Sequence, residues 1–171
     1  ERHQLKVILH EKPFDGVNGS GKHCNWSIVT DTGVNLLSPG KTPTKNLQFL
    51  AFYASVLRAV HKHNYLLMST VATLGNSYRL GGDEAPPAVM SVFSGSTLYE
   101  VFKSIMEMDK VTESESSNLE SIKIVNSIPE IFPDNTDRNR TSTFAFTGNR
   151  FEFRAVGASQ NVSTSVYTLN T

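Results

Sequence analysis

Runs of apolar residues with the spacing of β-strands occur at several places in the chain. Leu5 to Lys12 is a short apolar run, and the segment from His23 to Asp31 alternates with a period of two. The alternation predicts Cys24, Trp26 and Ile28 on one face of a strand and His23, Asn25, Ser27 and Val29 on the other. Ala88 to Phe93, Ser121 to Val125 and Phe144 to Val156 are further predicted strands.

Helical spacing appears in three other segments. Asn46 to Asn64 repeats apolar residues every three or four positions and predicts a buried helix, with Thr44 as its cap. A shorter helix is predicted from Leu66 to Leu74, ended by Gly75 and Asn76, and another from Thr97 to Asp109. Residues 77–87 have loop composition. Because strands and helices do not alternate in βαβ units, we expect an α+β fold with an antiparallel sheet flanked by helices.

The composition indicates which binding partners and which cellular compartment are to be expected. The 171 residues include 39% hydrophobic residues, enough for one core, and 16 basic residues balance 16 acidic ones. This balance gives no indication of nucleic acid or of an anionic membrane as a partner, and no apolar run is long enough to span a bilayer. The single Cys24 favours a reducing, cytoplasmic compartment over secretion, although sequons occur at Asn18, Asn25, Asn139 and Asn161.

The segment from Gly16 to His23, GVNGSGKH, is called here the glycine-rich segment. It has the spacing of a phosphate-binding P-loop, but His23 stands where that motif needs Ser or Thr, and a strand pattern follows where it needs a helix. The imidazole of His23 is then a candidate metal ligand at the start of a strand. The alternative is a hairpin loop with His23 on the surface.

A second informative stretch is RFEFR, from Arg150 to Arg154. On a strand, Phe151 and Phe153 would point to the core and the charged residues would share the other face. One interpretation is a surface ladder of ion pairs. The other is that Glu152 holds a divalent cation while the guanidinium groups bind phosphate and carboxylate.

Three blocks then carry a family resemblance: HEKPFDGVNGSGKHCNWS at His10 to Ser27, GNSYRLGGDEAPP at Gly75 to Pro87, and DNTDRNRTSTFAFTGNRFEFRAVGAS at Asp134 to Ser159. In this order they resemble glutamine synthetase, specifically its long-subunit type III form. The resemblance extends over essentially the whole chain. It implies an α+β catalytic domain with a curved antiparallel sheet, of the glutamine synthetase and guanido kinase kind.

The resemblance also implies site residues. Asn18 and Gly19 are similar to the positions that hold the substrate glutamate, and Arg79 and Arg154 to the arginines that bind its carboxylates. Asn25, Ser27 and Arg150 are similar to ATP contacts. His23 and Glu152 are similar to two ligands of one Mg²⁺ or Mn²⁺ ion. Glu84 resembles the loop glutamate that takes a proton from ammonium, and Arg140 the arginine that stabilises the transferred phosphoryl group.

Some positions depart from the family pattern. The run from Arg79 to Glu84 is one residue tighter than in the shorter-subunit types, and Ala145 stands where those types carry an arginine, so that contact is lost or moves to Arg138. Thr143 replaces an expected proline. The family's small N-terminal β-grasp domain and its glutamate-rich metal-site strands are not found in residues 1–171, and the chain starts at Glu1. We therefore expect a partial catalytic domain that is inactive alone.

The resemblance implies formation of glutamine from glutamate, ammonia and ATP through a γ-glutamyl phosphate. It also implies a homo-oligomeric ring with active sites between subunits. Two alternatives remain open from the sequence. One is a γ-glutamyl-amide ligase that uses a bulkier amine, and the other is a non-catalytic module that binds nucleotide or packs in an oligomer.

Overall fold

A four-stranded sheet organises the fold in the computed structural model, which describes residues 2–82, 85–112 (108–112 by backbone alone) and 142–171. The strands are β1 (Gly21–Trp26), β2 (Val92–Phe93), β3 (Phe144–Phe146) and β4 (Phe151–Gly157), in the spatial order β1-β4-β3-β2. β4 pairs antiparallel with both β1 and β3, whereas β2 pairs parallel with β3. The α+β class expected from the sequence is confirmed.

The parallel β2–β3 pair is the one departure from an antiparallel sheet in the described part of the chain. Parallel neighbours need a long connection, because the chain must return to the same end of the sheet. Helix α3 (Ser96–Thr112) lies in the connection between these two strands. The β2 strand itself has two residues, so only the end of the strand predicted over Ala88 to Phe93 is formed.

Helices pack around the sheet. A short 3-10 helix, Pro43–Lys45, precedes α1 (Leu47–Val71); α2 (Leu74–Arg79) follows, and α4 (Ser163–Asn170) comes after the sheet. The prediction of a helix over Thr97 to Asp109 is confirmed by α3. None of the helices within the described residues is long and apolar enough to cross a bilayer.

Helix α1 joins what the sequence predicted as two helices. The backbone leaves helical geometry at His63, with φ −117° and ψ 22°, so a kink lies two residues before the break expected at Tyr65. The predicted cap at Thr44 is wrong, because Thr44 lies in the 3-10 helix and Asn46 caps α1 instead. The Asn46 Oδ1 accepts a hydrogen bond from the Phe49 amide at 3.0 Å.

The expected stop at Gly75 and Asn76 is also wrong, since both residues lie inside α2. Tertiary hydrogen bonds override the local signal: the side-chain amide of buried Asn76 donates to the carbonyls of Val71 and Ala155, each at 2.8 Å. Arg79 consequently lies on the last turn of a helix rather than in a loop.

The run from Leu5 to Lys12, predicted as a strand, forms no regular element. Its apolar side chains are exposed, with Leu5 and Val7 among the most exposed. A strand needs a neighbour to pair its backbone groups, and an apolar pattern alone does not supply one. The strand that pairs with β4 at the edge of the sheet is β1, and residues 5–10 pair with neither of these strands. The predicted strand over Ser121 to Val125 lies outside the described residues.

The predicted strand over Phe144 to Val156 is a hairpin of β3 and β4, closed by a turn in which the Thr147 amide donates to the Arg150 carbonyl at 2.8 Å. Its aromatic rings build the core against α1: Phe144 and Phe151 stack at 4.6 Å between centroids, and Phe146 meets Tyr53 edge-on at 5.0 Å. Because side chains alternate across a strand, burial of Phe151 and Phe153 places Glu152 on the other face.

Candidate active site

The glycine-rich segment leads directly into β1, which begins at Gly21, so no helix follows it. The β1–β4 register shifts between Lys22 and Cys24: Lys22 pairs with Val156 and Cys24 with Phe153, so His23 faces two residues of β4. Such a bulge redirects a side chain. It lies at the position of the proposed metal ligand.

Three charged or titratable side chains meet on this face of the sheet. The Nδ1 atom of His23 lies 2.8 Å from Oε1 of Glu152, although 129 positions separate the two residues. The Nε of Arg154 donates to the other carboxylate oxygen at 2.9 Å. The His23 side chain is 40% exposed and that of Glu152 is 19% exposed, whereas Arg154 is buried. Arg154 therefore anchors these three side chains in the protein interior, while the imidazole of His23 is accessible to solvent.

The carboxylate of Glu152 stays ionised at neutral pH. Partial burial raises its pKa, but hydrogen bonds from Arg154 and His23, with their charges, outweigh burial and leave the pKa below its ordinary value. A fixed negative charge beside an imidazole is a suitable donor pair for a divalent cation. Because His23 Nδ1 and Glu152 Oε1 lie next to each other, one cation could bind both atoms.

These two groups would form only part of a metal site. Among the side chains that the structure describes, no group of three or more His, Cys, Asp or Glu residues is placed to hold a metal ion. A hard cation such as Mg²⁺ or Mn²⁺ takes about six oxygen or nitrogen ligands. The remaining ligands of a cation at His23 and Glu152 would have to include phosphate or water oxygens.

The glycine-rich segment rests on Arg79. A Cβ atom on Gly19 would lie 2.5 Å from Cγ of Arg79, and one on Gly21 would lie 2.5 Å from its Nη1, so only glycine allows this approach. The Arg79 side chain is buried. Its Nε donates to Asn76 Oδ1 at 2.8 Å, and its Nη2 donates to the Ala155 carbonyl at 3.0 Å. Asn18, beside Gly19, is exposed. The structure therefore brings Gly19 against Arg79, with Asn18 next to Gly19 in sequence.

The residues predicted to contact ATP lie further along β1 and at the β3–β4 turn. Asn25 is exposed and pairs with Glu152 across the two strands. The Ser27 hydroxyl donates to Asn35 Oδ1 at 2.7 Å, and the side-chain amide of Asn35 donates to the Asn149 carbonyl at 2.8 Å. Arg150 follows Asn149 and is exposed. Asn35 thus links Ser27 to the turn that carries Arg150.

Glu84 and Arg140, the two residues expected to be catalytic, lie outside the described residues, as does Arg138. The sequence patterns predict no site role for three residues that contact the site: Asn35 bonds to Ser27, Asn76 bonds to Arg79, and the Glu11 carbonyl accepts from the glycine-rich segment. Asn35 lies in a stretch whose composition, DTGVNLLSPGKTP, is typical of turns, and Glu11 lies in the run predicted as a strand. Neither position carries a pattern that marks a buried polar partner.

Comparison with known proteins identifies the family of the chain. The family model described as glutamine synthetase, catalytic domain, matches residues 1–95. A glutamine synthetase of Bacteroides fragilis (strain YCH46) is 51% identical over 99% of this chain and 23% of its own length. The type-3 glutamine synthetase of Dictyostelium discoideum is 49% identical, again over 99% of this chain and 23% of its own length.

The chain belongs to the glutamine synthetase catalytic-domain family. Its similarity to a type-3 protein at about half of all positions confirms the resemblance seen in the sequence. It spans about a quarter of the length of the curated relatives it matches.

Proposed function

We propose that the chain is part of the catalytic domain of a glutamine synthetase, which joins ammonia to glutamate with hydrolysis of ATP. The observation that carries the proposal is the 2.8 Å contact between His23 Nδ1 and Glu152 Oε1, in a chain of this family. In sequence, His23 lies between Gly19 and Ser27, and Glu152 lies two residues after Arg150. The arrangement suits a reaction between an amino acid and a nucleotide phosphate.

In the proposed reaction a γ-carboxylate oxygen of glutamate attacks the γ-phosphorus of ATP, and ADP leaves. Asn18, Gly19, Arg79 and Arg154 bind and orient glutamate, while Asn25, Ser27 and Arg150 bind ATP. A divalent cation held by His23 and Glu152 would supply positive charge for the phosphate oxygens. Arg140 stabilises the transferring phosphoryl group. Guanidinium groups suit this task because they form paired hydrogen bonds with phosphate.

The second half of the reaction is attack of ammonia on the acyl carbon of γ-glutamyl phosphate, with loss of inorganic phosphate. Glu84 takes the proton that ammonium gives up. Water must be kept out, since it would hydrolyse the acyl phosphate. In this proposal the sites lie at subunit interfaces of a homo-oligomeric ring, and the 171-residue chain alone does not turn over.

The test is glutamine production by the full-length protein that carries this chain, with glutamate, ATP, Mg²⁺ or Mn²⁺, and either ammonia or a panel of larger primary amines. We expect glutamine to be the main product and to depend on ammonia. Preferred conversion of a larger amine would instead favour a γ-glutamyl-amide ligase. The 171-residue chain is assayed beside it. Turnover by the short chain alone would contradict the proposal that it is incomplete.

A further inference from the structure

Glu11 precedes Lys12 and the short Pro13–Asp15 lead into the glycine-rich segment, and its acidic side chain is turned into the protein. Glu11 is 3% exposed. One oxygen, Oε1, accepts hydrogen bonds from the Ser159 amide at 3.0 Å and from the Ser159 hydroxyl at 2.5 Å. The Glu11 carbonyl accepts from the Ser20 amide at 2.8 Å. Glu11 therefore joins the glycine-rich segment, through its backbone, to the chain after β4, through its side chain.

Two glycines leave the space that this carboxylate fills. A Cβ atom on Gly157 would collide with Oε1 of Glu11, and one on Gly75 would lie 2.9 Å from Oε2. Gly157 ends β4 and Gly75 lies on the first turn of α2. Because backbone packs against the carboxylate on two sides, its position is more restricted than that of a carboxylate on the protein surface.

The charge of Glu11 acts on Arg79. Burial of the Arg79 guanidinium lowers its pKa, and the charge of Glu11 opposes that effect. The two residues also share a neighbour, because a Cβ atom on Gly19 would meet both the Arg79 side chain and the Glu11 carbonyl. Carbonyl oxygens of β4 accept hydrogen bonds from the same guanidinium. Glu11 and Arg79 thus hold the glycine-rich segment from two sides.

We propose that Glu11 is a positioning residue for the glutamate half of the active site. Its backbone carbonyl binds the glycine-rich segment at Ser20, while its carboxylate binds Ser159 after β4 and lies against Gly75 of α2. Together with the negative charge near Arg79, these contacts keep Asn18, Gly19 and Arg79 in a fixed relative arrangement. The inference rests on the proposed function in that these three residues bind glutamate. Glu11 itself touches neither substrate. Its effect on catalysis passes through the residues it holds.

The experiment compares Glu11→Gln with wild type in the full-length protein. Glutamine keeps the shape and an oxygen that can accept from Ser159, but removes the negative charge that acts on Arg79. We expect the KM for glutamate to rise about tenfold, the usual scale for a hydrogen-bonded charge, with the KM for ATP within about twofold. Glu100→Gln, on an exposed position of α3, is the matched control and should leave both constants unchanged.

A second measurement does not depend on turnover. Hydrogen exchange followed by mass spectrometry reports protection of peptides that contain Ser20 and Ser159. We expect faster exchange at both in Glu11→Gln than in Glu100→Gln, because a neutral amide oxygen accepts the Ser159 hydrogen bonds more weakly than a carboxylate does and holds Glu11 less firmly. If Glu11→Gln gives too little folded protein, Ser159→Ala, which removes one donor and keeps the charge, should give the same pattern with a smaller amplitude.

The outcomes separate the two claims. Equal rises in both KM values, or an unchanged KM for glutamate, would overturn the positioning role, because a general loss of structure does not distinguish the substrates. If the wild-type protein makes no glutamine, the proposed function fails, and hydrogen exchange alone decides about Glu11. Unchanged exchange at Ser20 would then overturn the inference, and faster exchange would support its anchoring of the segment.

Discussion

Two glutamates face the β1–β4 region, and they differ in how their charge is used. Glu11 is enclosed: its carboxylate is bound by the Ser159 amide and hydroxyl, and glycine backbone closes around it. Glu152 is half-buried, and its two oxygens contact Arg154 and an exposed imidazole, His23. Neutral donors in a closed pocket hold a structure together. A carboxylate beside a solvent-accessible imidazole can exchange its contact for a ligand.

Both carboxylates have a lowered pKa for related reasons. Burial raises the pKa of each group, and hydrogen bonds outweigh it, from Ser159 for Glu11 and from Arg154 and His23 for Glu152. An ionised carboxylate at neutral pH therefore does not identify a functional group by itself. Access from solvent and the identity of the partners make the difference between the two.

The largest effect is expected at the open pair. His23→Ala in the full-length protein should lower the rate of glutamine formation by about 100-fold or more and weaken Mn²⁺ binding, because a first ligand is lost. Electron paramagnetic resonance of free Mn²⁺ measures that binding without turnover. His61→Ala, at an exposed position of α1, is the control. Normal Mn²⁺ affinity in His23→Ala would show that the pair is only a surface contact.

The enclosed carboxylate of Glu11 should be sensitive to added side-chain volume beside it. In Gly157→Ala the new methyl group collides with Glu11 Oε1 and lies 2.9 Å from Gln160 Oε1, so we expect a loss of about 1–3 kcal/mol in the free energy of unfolding. Urea denaturation measures it. Combined with Glu11→Ala, the same substitution should cost less, since the colliding carboxylate is gone. Strictly additive losses would mean that Glu11 does not fill the space beside Gly157.

A third substitution tests whether the two halves of the site are held separately. Asn35→Ala removes the acceptor of the Ser27 hydroxyl and the donor to Asn149, so the ATP half should loosen while the glutamate half stays. The KM for ATP should rise about three- to tenfold, as for the loss of one or two hydrogen bonds, without a change in the KM for glutamate. Asn64→Ala, on an exposed position, is the control. A rise in the KM for glutamate would instead show that the ATP half and the glutamate half are not held separately.

The sequence predicted the open part of the site better than the enclosed part. Alternation along β1 and β4 placed His23 and Glu152 on the same kind of face, and the structure brings them into contact. That pattern does not predict the buried contacts of Glu11, because its partner Ser159 is 148 positions away. The space for its carboxylate exists because Gly75 and Gly157 have no side chains. The strand predicted for residues 5–12 was wrong for a related reason, since pairing depends on a distant neighbour.

The smallest expected effect is a dependence of stability on pH that belongs to Glu11. The pKa of Glu11 in the folded chain is lower than the ordinary value of 4.5, because the Ser159 hydrogen bonds outweigh burial. A lowered pKa means that the unfolded chain takes up the proton first as the pH falls. The stabilisation is therefore complete well above pH 4.5 and is lost as the pH falls through the folded-state pKa.

Wild type and Glu11→Gln should accordingly differ most in the free energy of unfolding at neutral pH and converge below that window, in urea titrations at a series of pH values. Glu100→Gln, followed in parallel, shows how much of the slope is general to acidic residues. Because Glu152 titrates in both proteins, its contribution cancels from the difference. A wild-type advantage that is constant from neutral to acidic pH would mean that the Glu11 charge does not stabilise the fold, and the contrast between the enclosed and the open carboxylate would then rest on shape alone.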